Sequence, residues 1–102
     1  MTNISVEALK ARMDAGEKLN IIDVREPHEY AEFNIGGLLL PLGQIAQMQI
    51  DPIEDLRGAE VILHCKAGMR SMQAALILEQ MGFTNVVNLV GGMQSWQAAF
   101  GQ

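Results

Sequence analysis

The amino-acid sequence predicts an α/β fold in which helices cover both faces of a parallel sheet. Short apolar, β-branched segments alternate along the chain with segments of helical periodicity, and glycines, prolines or capping residues mark the boundaries between them. The chain has 102 residues, of which 49% are hydrophobic, so it is long enough to bury one core. We therefore expect a single domain over residues 1–102.

The N-terminal third predicts two helices separated by a strand. Ser5 can cap a first helix, whose apolar residues recur with helical spacing until Gly16 ends it. Residues 19–24 are mostly apolar, which is typical of a short buried strand. Pro27 has the fixed φ that suits the first turn of a helix, and we expect this helix to reach about residue 32.

Glycines and prolines also delimit the middle of the chain. A glycine pair precedes residues 38–40, which are apolar and predict another strand. Residues 43–49 are ambiguous and fit one helical turn or more. Asp51 and Pro52 together indicate the start of a helix, and Gly58 indicates its end.

The C-terminal third predicts two strands and two helices. Residues 60–64 are apolar and β-branched and form the clearest strand of the chain. Residues 65–70 follow as a loop that leads into a helix over residues 71–82, where the few polar positions predict burial on most sides. Residues 85–89 predict the last strand, and a helix over residues 93–99 closes the chain.

Charge and cysteine content exclude several classes of protein. The net charge is −5 with a pI near 4.8, whereas nucleic-acid binders need clustered positive charge, so we expect no nucleic-acid partner. The apolar runs are too short to cross a bilayer, and the N-terminus lacks the pattern of a secretory signal. One cysteine excludes an intramolecular disulfide and a zinc site built on paired cysteines. An unpaired thiol suits a reducing compartment, so we expect a cytoplasmic protein without a membrane partner.

The segment from Cys65 to Arg70 carries the strongest chemical signal. It joins the end of a strand to the start of a helix, where backbone N–H groups point into a small concavity. Gly68 permits backbone conformations that a side chain would resist. The helix dipole and the charges of Lys66 and Arg70 favour an anion and should lower the pKa of Cys65. We therefore predict that Cys65 is a nucleophile and not a buried structural cysteine.

Polar residues near two predicted strand ends are weaker candidates. His64 precedes Cys65, but neighbouring residues on a strand point to opposite faces, which favours a packed histidine over a catalytic pair. Asp23 could be catalytic, although an aspartate at a strand end more often caps a turn or pairs with a nearby arginine such as Arg25. The functional roles of Asp23, Arg25 and His64 stay open.

Three segments resemble the motifs of rhodanese-like sulfurtransferases and occur in the order typical of that family. Residues 21–30 resemble the opening motif, residues 65–71 the active-site loop and residues 82–96 the closing motif. The resemblance covers essentially the whole chain. It implies a three-layer fold with a five-stranded, mainly parallel sheet and helices on both faces. It also implies that Cys65 occupies the position of the persulfide-forming cysteine.

The resemblance further implies a double displacement. The Cys65 thiolate would take sulfur from a small anionic donor such as thiosulfate and pass it to a thiol or protein acceptor, without a metal or an organic cofactor. The groups expected to bind the donor and the persulfide are the amides and cations of the loop, namely Lys66, Ala67, Gly68, Met69 and Arg70.

Two other functions within this fold are alternatives. Related phosphatases and arsenate reductases place an arginine six positions after the cysteine, whereas Arg70 follows Cys65 by five. The shorter loop resembles the sulfurtransferase form. The pair of His64 and Cys65 is similar to the phosphatase signature, but spacing has more weight because the loop must match its anion. Catalytically silent binding modules of the family usually lack the cysteine, so its presence counts against that alternative.

Overall fold

The computed structural model describes residues 1–101 and contains a five-stranded sheet in the order β1-β5-β4-β2-β3. The strands are β1 (Thr2–Ile4), β2 (Ile21–Asp23), β3 (Leu38–Leu39), β4 (Glu60–His64) and β5 (Asn85–Leu89). The helices are α1 (Val6–Asp14), α2 (Pro27–Glu32), α3 (Leu42–Ala46), α4 (Met69–Gln80) and α5 (Gly92–Phe100), and Asp51–Leu56 form a 3-10 helix. All neighbouring strands are parallel, which confirms the predicted fold class.

Apolar side chains form two clusters, one on each face of the sheet. On one face α3 and α4 pack together and bury Ile45 and Leu78. On the other face α1 and α5 pack together and bury Leu9 and Trp96. The sheet is therefore the middle layer of three.

The central strand β4 contributes side chains to both clusters, because successive side chains of a strand point to opposite faces of the sheet. Leu63 and Cys65 belong to the cluster under α3 and α4, whereas Ile62 belongs to the cluster under α1 and α5. His64 lies between Leu63 and Cys65 and is fully buried. This placement confirms the prediction of a packed histidine.

Strand β1 was not predicted from the sequence. It is an edge strand of three residues that pairs with β5, and only Ile4 is partly buried. Thr2 and Asn3 are exposed and polar, so this segment lacks the run of apolar residues that is typical of a buried strand. Its formation depends on a partner more than eighty positions away, which no local pattern reveals.

Helix α4 differs from its prediction in two respects. It begins at Met69, two residues before the predicted start, because Gly68 adopts a left-handed conformation with φ of 116° at the N-cap. The predicted burial on most sides is wrong: Met69, Met72 and Leu76 are exposed, since only one face of the helix contacts the rest of the domain. The ambiguous segment 43–49 contains most of α3.

None of the helices within residues 1–101 is long and apolar enough to cross a membrane.

Candidate active site

The loop between β4 and α4 lies at the carboxyl end of the central strand, where open α/β sheets place their ligand sites. Cys65 is its first residue and is only 1% exposed. The loop turns back over the sulfur, so that the backbone N–H of Gly68 donates a hydrogen bond to Cys65 Sγ at 3.0 Å. The left-handed conformation of Gly68 permits this approach at little steric cost.

The hydrogen bonds around Cys65 favour its thiolate. Burial raises the pKa of the thiol, but hydrogen bonds with the Ser71 side chain and with the backbone of Ser71, Gly68 and Ala67 outweigh it. The pKa of Cys65 therefore lies below its ordinary value. Neutral hydrogen-bonding groups cause most of this shift. The sequence had instead suggested the charges of Lys66 and Arg70 as a cause of the lowered pKa.

Ser71 and Asn88 extend the hydrogen-bond network beneath the sulfur. Ser71 Oγ donates to Asn88 Oδ1 at 2.5 Å and lies 3.1 Å from the Gly68 carbonyl oxygen and 3.5 Å from Cys65 Sγ. Both side chains are buried. Sequence reasoning had used Ser71 only as the start of a helix and had missed Asn88. Asn88 reaches the loop because β5 pairs directly with β4.

The first turn of α5 holds the start of the loop. The backbone N–H of Met93 donates to the Cys65 carbonyl, and that of Gln94 donates to the Lys66 carbonyl, both at 2.9 Å. Gly92 permits this contact, because a Cβ atom there would lie 2.3 Å from the Cys65 carbonyl oxygen. The sequence had indicated only a turn at this position.

Arg70 forms an ion pair with Glu29 of α2. Its Nη1 and Nη2 donate to the two carboxylate oxygens at 2.7 and 2.9 Å, in the bidentate geometry that suits a guanidinium. The hydrogen bonds from Arg70 hold the pKa of Glu29 at about 2, so Glu29 is charged at neutral pH. Lys66 is exposed, and within residues 1–101 its side chain forms no ion pair. Of the two loop cations predicted to bind a donor, Arg70 is therefore paired with a carboxylate, whereas Lys66 is unpaired among the described residues.

Asp23, Arg25 and His64 form a buried cluster. Asp23 accepts hydrogen bonds from the Arg25 side chain, the shortest at 2.7 Å, which confirms the predicted pairing. His64 Nε2 lies 3.8 Å from Asp23 Oδ2, and within residues 1–101 neither ring nitrogen has a hydrogen-bond partner. Burial lowers the pKa of His64 to about 4 against the attraction of Asp23, so the ring is neutral at pH 7. The hydrogen bonds to the Cys65 sulfur come from elsewhere.

Comparison with known proteins places this loop in a family. The profile described as "Rhodanese-like domain" matches residues 5–99. A sulfurtransferase of Allochromatium vinosum is 34% identical over 97 residues, which cover 94% of this chain and 88% of the relative. The crystal structure of a rhodanese-like domain protein from Staphylococcus aureus superposes with a TM-score of 0.82 at 27% identity, over 94% of this chain and 91% of that one.

One relative is considerably longer. YrkF of Bacillus subtilis, whose name describes a sulfur carrier protein, is 39% identical over 94 residues. The match covers 91% of this chain but 49% of YrkF, so the chain spans about half the length of this relative.

Proposed function

Because the chain belongs to the rhodanese-like domain family, we propose that it is a sulfurtransferase that carries sulfur as a persulfide on Cys65. The observation that carries this proposal is the set of backbone N–H groups around Cys65 Sγ, among which that of Gly68 donates to the sulfur at 3.0 Å. Such donors stabilise a thiolate before the reaction and the outer anionic sulfur of a persulfide after it. The names of the relatives support sulfur transfer.

The proposed reaction is a double displacement. With thiosulfate as donor, the Cys65 thiolate attacks the outer sulfur, the S–S bond of thiosulfate breaks and sulfite leaves with the bonding electrons. An acceptor thiolate then attacks the outer sulfur of the Cys65 persulfide and restores the Cys65 thiolate. No oxidant, metal or organic cofactor enters the balance.

The lowered pKa of Cys65 also supports a proposal about the compartment in which the protein acts. A thiolate with a lowered pKa is readily oxidised, so the reaction requires a reducing compartment, and we propose that the protein acts in the cytoplasm.

The ion pair of Arg70 supports sulfur transfer over phosphate chemistry. A phosphatase of this fold needs the loop arginine to bind two oxygens of the phosphate. Here both terminal nitrogens of Arg70 bind Glu29, and the loop is one residue shorter than a phosphate loop. The loop is therefore better suited to a single sulfur atom.

We expect the protein to gain the mass of one sulfur atom when it is incubated with thiosulfate, because Cys65 is the only thiol. Intact mass spectrometry under non-reducing conditions measures the adduct, and dithiothreitol should remove it. Cys65→Ser should show no adduct, while its circular dichroism spectrum should match that of the wild type. An unchanged mass with thiosulfate and with other sulfur donors would contradict the proposal and favour a silent binding module.

We expect hydrolysis of an aryl phosphate to be at background level under conditions in which thiosulfate loads Cys65. The reason is that Arg70 is held by Glu29 and lies one position too early for a phosphate loop. Release of p-nitrophenol by the wild type and by Cys65→Ser provides the measurement. Turnover that exceeds sulfur transfer and disappears in Cys65→Ser would show that the phosphatase alternative is correct.

A further inference from the structure

The entrance to the active-site loop carries less positive charge than the sequence suggests. Arg70 is bound by Glu29 through two hydrogen bonds, and both side chains are partly buried. A groove of about 340 Å³ lies between α2 and the loop, and its lining includes Glu29, Glu32 and Lys66. Arg70 offsets the charge of Glu29, and Asp23 offsets that of Arg25, which also lines the groove. Lys66 and Glu32 remain and balance each other, so the charges around this groove nearly cancel. A donor with two negative charges therefore meets little net attraction here.

The other side of the loop is apolar. A second groove, of about 280 Å³, adjoins residues 67–69 and is lined in part by Met72 and Val90. Met69 is the first residue of α4 and is 74% exposed. These side chains offer contact area to an organic group but no charge to an inorganic anion.

From these observations we propose that Glu29 determines the charge of the sulfur donor. By holding Arg70, it selects a donor of low charge with an organic group, such as a persulfide or thiosulfonate, over dianionic thiosulfate. This inference rests on the proposed sulfurtransferase function and adds the class of donor. Glu29 acts through Arg70 and does not contact the reacting sulfur.

The transfer from a persulfide is balanced without a further reagent. The Cys65 thiolate attacks the outer sulfur of R–S–SH, the S–S bond of the donor breaks and R–S⁻ leaves with the bonding electrons. The new persulfide Cys65–S–SH first carries the donor's proton, so one negative charge is present on each side of the transfer. Release of that proton to solvent then gives the anionic outer sulfur. The donor group R leaves as a thiolate, where thiosulfate would release doubly charged sulfite.

Two donors that differ mainly in charge test the inference. Thiosulfate carries two negative charges, whereas methanethiosulfonate carries one, because a methyl group replaces a charged oxygen. Both deliver one outer sulfur to Cys65. The measured quantity is kcat/KM for thiosulfate divided by kcat/KM for methanethiosulfonate, with cyanide as acceptor.

We expect Glu29→Gln to raise this ratio about tenfold, because the unpaired charge of Arg70 attracts the dianion more strongly than the monoanion. Solvent and salt screen the charge of Arg70 and limit the gain to about this size. Glutamine at this position can still accept the hydrogen bond from the Glu26 backbone, so α2 keeps its capping box. Added salt should reduce the gain.

Two further variants separate the release of Arg70 from a general loss of negative charge. Glu32→Gln removes one charge from the same helix without touching the ion pair, and it should raise the ratio by less than Glu29→Gln does. The double variant Glu29→Gln, Arg70→Gln should lose the gain. An unchanged ratio in Glu29→Gln, or equal gains in Glu29→Gln and Glu32→Gln, would overturn the inference. Failure of both donors to load Cys65 would instead refute the proposed function.

Discussion

Gly92→Ala is expected to reduce sulfur transfer about 100-fold, because displacements of about 1 Å in a catalytic group can have effects of this size. The added Cβ atom would lie 2.3 Å from the Cys65 carbonyl oxygen and 2.8 Å from the Lys66 carbonyl oxygen. Neither contact is possible, so the loop has to move away from α5. That movement breaks the hydrogen bonds that the N–H groups of Met93 and Gln94 donate to the loop.

The same substitution should also lower the free energy of unfolding. Gly92 has a φ of +53°, a left-handed conformation that costs an alanine about 1 kcal/mol. The steric contacts add about 1–3 kcal/mol, which is typical of overpacked sites. Urea denaturation measures the stability, and the rate of sulfur loading, followed by intact mass, measures the transfer.

Gly43→Ala is the matched control for this experiment. A Cβ atom at Gly43 would meet no heavy atom of residues 1–101 within 4 Å, and the residue lies in helix α3, where alanine is favourable. This variant should load sulfur at the rate of the wild type. If Gly92→Ala also kept the rate and stability of the wild type, the contact between α5 and the loop would not position Cys65.

The free energy of unfolding should fall by about 3 kcal/mol when the pH is lowered from neutrality to about 4, at 1.36 kcal/mol for each unit of pKa shift. The pKa of His64 falls from 6.5 to about 4 on folding, because burial disfavours the charged ring by more than the attraction of Asp23 favours it. Between these two values the unfolded chain binds a proton that the folded protein does not. Acid therefore favours unfolding in this window, and stability is regained as the pH rises through 6.5.

Urea denaturation at a series of pH values measures this dependence. His64→Leu should flatten the curve between pH 6.5 and 4, since leucine fills the site without a titratable group. His28→Gln is the control, because it removes an exposed histidine of α2 and leaves the buried one in place. The carboxylate of Glu29 affects the free energy of unfolding at lower pH. Its pKa falls from 4.5 to about 2 on folding, so the stabilisation that it provides is lost as the pH falls from 4.5 through about 2. Retention of the slope in His64→Leu would show that another group is responsible.

The sequence determined the fold class and the candidate nucleophile by itself. Alternating apolar and helical segments require a layered α/β domain, and the predicted bounds of β4 and β5, 60–64 and 85–89, agree with the structure. These central strands are buried on both faces, so each contains adjacent apolar residues, 61–63 in β4 and 86–87 in β5, that are easily recognised. Cys65 followed from its place between a strand and a helix, together with the glycine and cations of the loop. All of these signals are local in the chain.

Only the tertiary structure decided the surroundings of this candidate nucleophile. Arg70 and Glu29 are 41 positions apart, and Ser71 and Asn88 are 17 apart. These pairs meet because parallel strands bring the ends of distant segments to one edge of the sheet. The edge strand β1 likewise exists only through its pairing with β5. Such contacts depend on packing across the sheet, which leaves no periodic pattern in the sequence, and they decide which loop charges are free to meet a substrate.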